Sequence, residues 1–128
     1  MENKTENPAN MDNFAKFIGA KITKAGPGFA VAELEIEDRH KNGIGIVQGG
    51  VTYTLADFAF AAASNASGRK TVGVQSNITY FRPPKGALLR AEAREVSSTK
   101  RLCNYCVDVY DELGTYVARL CAMGFVRD

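Results

Sequence analysis

Long apolar runs are what this 128-residue sequence most clearly lacks. Although 45% of it is hydrophobic, no stretch approaches the roughly 20 consecutive apolar residues that a membrane-spanning helix needs. Also absent at the start is the basic, apolar, then small-residue order of a secretory signal. Residues 1–13, MENKTENPANMDN, are largely polar, and we expect a flexible lead-in on a cytoplasmic protein. Histidine occurs once, as His40, with no Cys/His/acid cluster around it, which leaves a zinc-type metal centre without support. Cysteine is scarce and odd in number: Cys103, Cys106 and Cys121 lie in alternating apolar segments, which favours reduced, partly buried thiols in a reducing compartment. Cys103 and Cys106 have CxxC spacing, but on a strand positions three apart point to opposite faces, so they neither chelate nor bridge as they would around a turn. A net charge of +2 is too weak to imply nucleic acid.

The basic residues that are present come in small clusters, Arg69-Lys70, Arg82 with Lys85, and Lys100-Arg101, each where a loop or strand end is expected. Two readings stay open for them: a solvated rim, or a partner bearing phosphates. The length fits one domain with its own core, and neither an internal repeat nor a low-complexity segment interrupts it. We expect residues 14–128 to form that domain.

Along the chain, residues 14–17 suit a short helical lead-in. Residues 18–24 and 29–37 suit two strands around Gly26-Pro27-Gly28, a hairpin signal. In the second of these, Val31, Glu33, Glu35 and Glu37 alternate with Ala30, Ala32, Leu34 and Ile36, the period of a sheet with one wet face. From Gly49 to about Asn65 the period becomes helical, with Val51, Leu55, Phe58, Ala59 and Ala62 on one stripe and alanines around them. Such a helix is expected to be buried, its small side chains allowing close approach to a sheet, and to stop at Asn65 and Gly68. Residues 71–81, 87–96, 102–110 and 116–126 alternate as strands, broken by Pro83-Pro84-Lys85-Gly86 and by the turn Asp111-Glu112-Leu113-Gly114. Two strands, one long apolar helix and four strands define an α+β domain, a mostly antiparallel sheet of about six strands wrapped around one helix.

The chemistry gathers where the helix begins. Gly49-Gly50 offers free backbone N–H groups and the positive end of a helix dipole, suited to a carbonyl oxygen or a developing oxyanion; the plainer reading is a tight turn into the helix. Asp57 is one acid inside an apolar run, so it needs either a local hydrogen-bond partner or a task. It stands eight residues beyond Gly49, about 12 Å along the axis at 1.5 Å per residue, so one ester or thioester carbonyl cannot touch both. Two such helices lying antiparallel across a twofold axis would bring Asp57 of one chain to the Gly49 end of the other, where the positive helix end helps keep the acid ionised.

This stretch resembles the hotdog-fold acyl-CoA thioesterases of the PaaI-like (phenylacetate-degradation) branch, whose pattern runs asparagine, glycine, a spacer, HGG, then a helix carrying LAD. The matching residues are Asn42-Gly43, Gln48-Gly49-Gly50 and Leu55-Ala56-Asp57, with Phe58-Ala59-Phe60-Ala61 in the same style, and Asn77 to Pro83 (NITYFRP) resembles the third strand and its proline ending. The resemblance spans about residues 14–127. It implies hydrolysis of an acyl-CoA or aryl-acyl-CoA. Asp57 would be nucleophile or general base, the Gly49 N–H from a second subunit would polarise the carbonyl, and Asn42 would lie near the thioester or the water. It further implies a homodimer, in a dimer of dimers, with coenzyme A entering as part of the substrate and no separate cofactor or metal. Arg82, Lys85, Lys100 and Arg101 become candidates for the CoA phosphates at the rim of a tunnel. Two positions depart from the pattern. The family histidine is Gln48, and a hydroxyl residue that some relatives carry in the third strand is Gly73, with Thr54 or Ser76 as candidate replacements. These departures motivate an alternative, a non-catalytic acyl-CoA-binding hotdog protein acting as sensor or scaffold. A hotdog dehydratase, which needs a catalytic histidine, is the weakest reading, since His40 precedes the helix.

Overall fold

The computed structural model describes residues 7–127. Six antiparallel strands, β1 (Lys21–Gly26), β2 (Phe29–Glu35), β3 (Lys70–Tyr80), β4 (Leu88–Ser98), β5 (Leu102–Asp111) and β6 (Tyr116–Arg127), form one sheet in the order β1-β2-β4-β5-β6-β3. Across one face lies the 16-residue helix α2 (Gly49–Ser64), preceded in the chain by the short α1 (Asn13–Ile18). Among the described residues no helix is long and apolar enough to cross a membrane.

Small side chains meet on both sides of the contact between helix and sheet. Ala56, Ala59, Ala62 and Ala63 of α2 are buried, and so are Ala30, Ala32, Ala91, Ala93, Ala118 and Ala122 of the strands. Close approach then leaves room for Leu34, Leu55, Leu89, Val107, Val109 and Leu120, all fully buried; each such side chain is worth about 2 kcal/mol of transfer from water. The first hairpin turns through Pro27 and Gly28, and Gly28 takes φ 83, as the second central position of a type II turn requires.

Element boundaries differ from the sequence expectation where side chains cap the ends. Ile18 closes α1 rather than opening a strand, because Asp12 Oδ1 accepts the Ala15 N–H at 2.9 Å and Gly19 turns the chain out at φ 89. Residues 7–13, expected to belong to a flexible lead-in, are packed instead. Pro8–Met11 forms a 3₁₀ turn, Ala9 is buried, and Asn7 Nδ2 donates to the Ala62 carbonyl at 2.7 Å. The rest of that lead-in, residues 1–6, lies outside the described residues. At its far end α2 stops at Ser64. Asn65 takes the cap position, donating through Nδ2 to the Ala61 carbonyl at 2.8 Å while its Oδ1 accepts the Thr71 N–H at 2.9 Å, which fixes the start of β3.

Candidate active site

The N-terminus of α2 is built by Gln48. Its side chain is the helix cap, Oε1 accepting the Gly50 N–H at 2.5 Å, while its backbone N–H donates to the His40 carbonyl at 2.9 Å. Neither Gly49 nor Gly50 has positive φ, so the tight-turn reading does not explain them. Both stand where space is tight. A β-carbon at Gly50 would stand 2.6 Å from Gln48 Oε1, and one at Gly49 would stand 3.2 Å from the ring of Tyr80. Tyr80 completes the corner from β3, its hydroxyl donating to the Gly49 carbonyl at 2.9 Å. The Gly49 N–H, at the first helical position, meets no acceptor among the described residues.

That corner opens into a cavity of about 340 Å³ whose walls include Asn42, Ile46, Gly49, Tyr80, Phe81 and Arg82. Asn42 shapes its loop by accepting the Ile44 and Ile46 N–H groups on Oδ1 at 3.1 and 3.2 Å, which leaves Nδ2 as its remaining donor. Three of the residues expected at the site, Asn42, Gly49 and Arg82, therefore share one cavity.

Asp57 does not. It lines a separate groove of about 290 Å³ with Phe60, Gly73, Val74, Gln75, Ser76 and Ala122. No donor among the described residues meets its oxygens, so the local-partner reading of this acid fails. Asp57 is exposed in the single chain, yet the protein packed around its carboxyl pushes its pKa above 3.8, and the charge of Asp12 adds to the shift. Of the two candidate hydroxyls, Ser76 lies in this groove, hydrogen-bonded to the Tyr53 hydroxyl, whereas Thr54 Oγ1 bonds back to the Gly50 carbonyl at 2.8 Å. A β-carbon at Gly73 would make ordinary contact with Phe60 at 3.4 Å.

Within one chain the four basic residues expected at the CoA phosphates lie in two separate places. Arg82 lies at the Gly49 cavity, donating from Nη1 to the Tyr116 carbonyl at 3.1 Å, and Lys85 lines the neighbouring cleft with Ile46 and Val47. Lys100 and Arg101 sit beyond the other end of the 11-residue β4, about 33 Å away at strand rise, where Arg69 Nη2 reaches the Thr99 and Lys100 carbonyls at 3.4 Å. His40 is buried and structural: Nδ1 accepts the Glu37 N–H at 2.9 Å and Nε2 donates to the Ile18 carbonyl at 2.8 Å, so no ring nitrogen is left for dehydratase chemistry.

Sequence reasoning passed over Asp111 and Glu112, treated there as turn residues. Asp111 is buried and accepts four N–H groups, those of Lys85 and Gly86 at 2.8 and 2.9 Å and those of Leu113 and Thr115 at 3.0 and 2.8 Å. Glu112 accepts the Ala87 and Leu88 N–H groups. Together they pin the proline loop that walls the Gly49 cavity. The turn partners of Asp111, Leu113 and Thr115, are local, but nothing local marks the hold on the proline loop, because Lys85, Gly86, Ala87 and Leu88 lie some 25 residues away in the chain.

A six-stranded antiparallel sheet curled over one buried helix, with a carboxylate on that helix and a glycine pair at its start, defines a hotdog-fold protein. The sequence profile of the thioesterase superfamily matches residues 44–118. The acyl-coenzyme A thioesterase PaaI of Escherichia coli is 32% identical over 108 residues, covering 84% of this chain and 77% of that protein. A solved structure of the Escherichia coli PaaI protein superposes with a TM-score of 0.90 at 27% identity, over 98% of this chain and 94% of that one. A point mutant of the phenylacetic acid degradation protein PaaI from Thermus thermophilus superposes with a TM-score of 0.84 at 36% identity, covering 89% and 98% of the two chains. Human acyl-coenzyme A thioesterase 13 is 40% identical over 77 residues, 57% of this chain and about half, 54%, of its own length. The chain belongs to the thioesterase superfamily, in its PaaI-like hotdog branch.

Proposed function

We propose that this chain hydrolyses the thioester of an acyl-CoA or aryl-acyl-CoA, water adding across the C–S bond to give the free acid and CoA. The carrying observation is the division of groups along α2: a donor without an acceptor, the Gly49 N–H, opens into one cavity, and a carboxylate without a donor, Asp57, into another. Two copies of α2 antiparallel across a twofold axis bring Asp57 of one chain beside Gly49 of the other. The open edge of β3 supports that pairing. Among the described residues this strand pairs only with β6, and it carries Gly73 to Ser76 beside Asp57 and Tyr80 beside Gly49. Dimerisation through this edge, and a further pairing of dimers, belong to the proposal.

In the assembled site the Gly49 N–H and the α2 dipole receive the charge that gathers on the carbonyl oxygen, and losing such a donor typically costs about 3–4 kcal/mol of transition-state stabilisation. Asp57 either attacks the acyl carbon, expelling the CoA thiolate and leaving a mixed anhydride that water opens, or takes a proton from the attacking water. The Nδ2 groups of Asn42 and the Nε2 of Gln48, whose oxygens are committed to backbone N–H groups, face the thioester or the water as donors. Arg82 and Lys85 hold CoA phosphates at the mouth of the Gly49 cavity, and Lys100 and Arg101 join them only from another chain. The names of the Escherichia coli and human relatives support the CoA ester class. Three free thiols support a cytoplasmic setting.

The test is CoA release from short, medium and aromatic acyl-CoAs, with Asp57→Ala as control. Asp57→Asn and Gly49→Pro, each inactive, are expected to recover activity when mixed and allowed to exchange subunits; no recovery after confirmed exchange rejects the shared site. Gln48 and Gly73 favour a second reading, an acyl-CoA-binding protein without turnover. CoA binding in the absence of any release selects it.

A further inference from the structure

The cysteines that sequence spacing pairs are not the ones the sheet pairs. Cys103 is buried on the side of β5 that faces α2, where burial pushes its thiol pKa up from 9.0. Cys106 projects from the opposite face. Directly across from it on β6 stands Cys121, in register, and the two sulfurs are 3.7 Å apart. Both are only partly buried, and all three cysteines are free thiols.

We propose that Cys106 and Cys121 form a reversible cross-strand dithiol–disulfide site, oxidised by a low-molecular-weight disulfide. A direct cross-strand pair has β-carbons about 4.5–5.5 Å apart and a disulfide about 3.5–4.5 Å, so the sulfurs close from 3.7 Å to about 2.05 Å by side-chain rotation together with a local strand approach of about 1 Å. The surroundings suit Cys106 as the first nucleophile. The Arg119 guanidinium, on the same strand face as Cys121 and paired with Asp108 at 3.5 Å, lies beside the pair, while burial raises the Cys121 thiol. The Cys106 thiolate attacks one sulfur of the small disulfide and releases one thiolate, forming a mixed disulfide. The Cys121 thiolate then attacks Cys106 Sγ and expels the second. The two protein protons pass to the two leaving thiolates, so the protein loses two hydrogens and the small disulfide is reduced to two thiols.

The experiment uses the full chain, reduced and then equilibrated with oxidised glutathione, followed by alkylation of remaining thiols under denaturing conditions and intact mass measurement. The expected result is one alkylated cysteine per chain instead of three, no bound glutathione, and full return to three after dithiothreitol. Tryptic digestion should join the peptides 102–119 and 120–127 by a disulfide. Cys103→Ser is expected to keep that link, and both Cys106→Ala and Cys121→Ala to lose it while remaining folded by circular dichroism. Three alkylated cysteines after glutathione treatment, glutathione retained on a single cysteine, a link between two chains, or a link that survives in Cys106→Ala each overturns the proposal.

Discussion

The hydroxyl of Tyr80 donates to the carbonyl of Gly49 at 2.9 Å, and its ring stands 3.2 Å from where a side chain at position 49 would begin. An edge strand thus holds the peptide unit between Gly49 and Gly50, which lies just past the Gly49 α-carbon from the N–H proposed as oxyanion donor. Tyr80→Phe keeps the ring and removes the bond. Losing about 1 kcal/mol of positioning should lower kcat/KM about 5-fold with little change in fold, read by CoA release and circular dichroism.

Asp57 must be ionised to act in either role, and its pKa is raised by burial first and by Asp12 second. The acid limb of kcat/KM should therefore lie above the pH of an ordinary carboxylate. Asp12→Asn removes a negative charge that disfavours ionisation while keeping a capping oxygen for Ala15. The limb should then move to lower pH, and a pH–rate profile showing it fixed or moved upward rejects the coupling.

Asp111 offers a stability test with the opposite sign. Burial alone would raise its pKa, but the N–H groups of Lys85, Thr115 and Gly86 outweigh burial and hold the carboxyl well below the usual range. Its stabilisation is complete above the unfolded-state carboxylate pKa of about 3.9 and is lost as pH falls below that toward the folded value. Asp111→Asn, which turns an amide N–H toward backbone donors, should cost about 3 kcal/mol at pH 7, with the gap to the native protein narrowing in strong acid, as measured by urea unfolding.

Gly73 is the position where a hydroxyl can be restored. A β-carbon there meets only the Phe60 ring, at 3.4 Å, and the site opens to the Asp57 groove. Gly73→Ser should fold normally and raise kcat several-fold on a substrate the native protein already cleaves.

Gln48→Ala tests the helix cap. Without Oε1 the Gly50 N–H loses its acceptor, and thermal unfolding should show about 1 kcal/mol of destabilisation. Gln48→Asn, able to cap from a shorter side chain, should recover most of it.

The order of two strands, a helix and four strands was legible in the sequence, because alternation and helical spacing each report which face of an element meets the core. So was the geometric problem at the site: Gly49 and Asp57 are separated by a fixed rise along one helix, whatever surrounds them. The acid's lack of a local partner, the use of Gln48 as a cap and the burial of His40 were not legible, since each depends on where side chains end after the chain has folded. The CxxC spacing of Cys103 and Cys106 even pointed away from the relevant pair, because a strand's period of two sends those sulfurs to opposite faces.

Local periodicity by itself determined the element types, the hairpin at Pro27-Gly28 and the placement of one acid within an otherwise apolar helix. Tertiary structure alone decided that Tyr80 meets Gly49 across 31 residues, that Asp111 fastens the proline loop across 25 or more, and that Cys106 faces Cys121 across 15. The reason is physical. Periodicity is set by each residue's own backbone geometry, whereas these contacts are set by strand register, which only the packing of all six strands against one helix can choose.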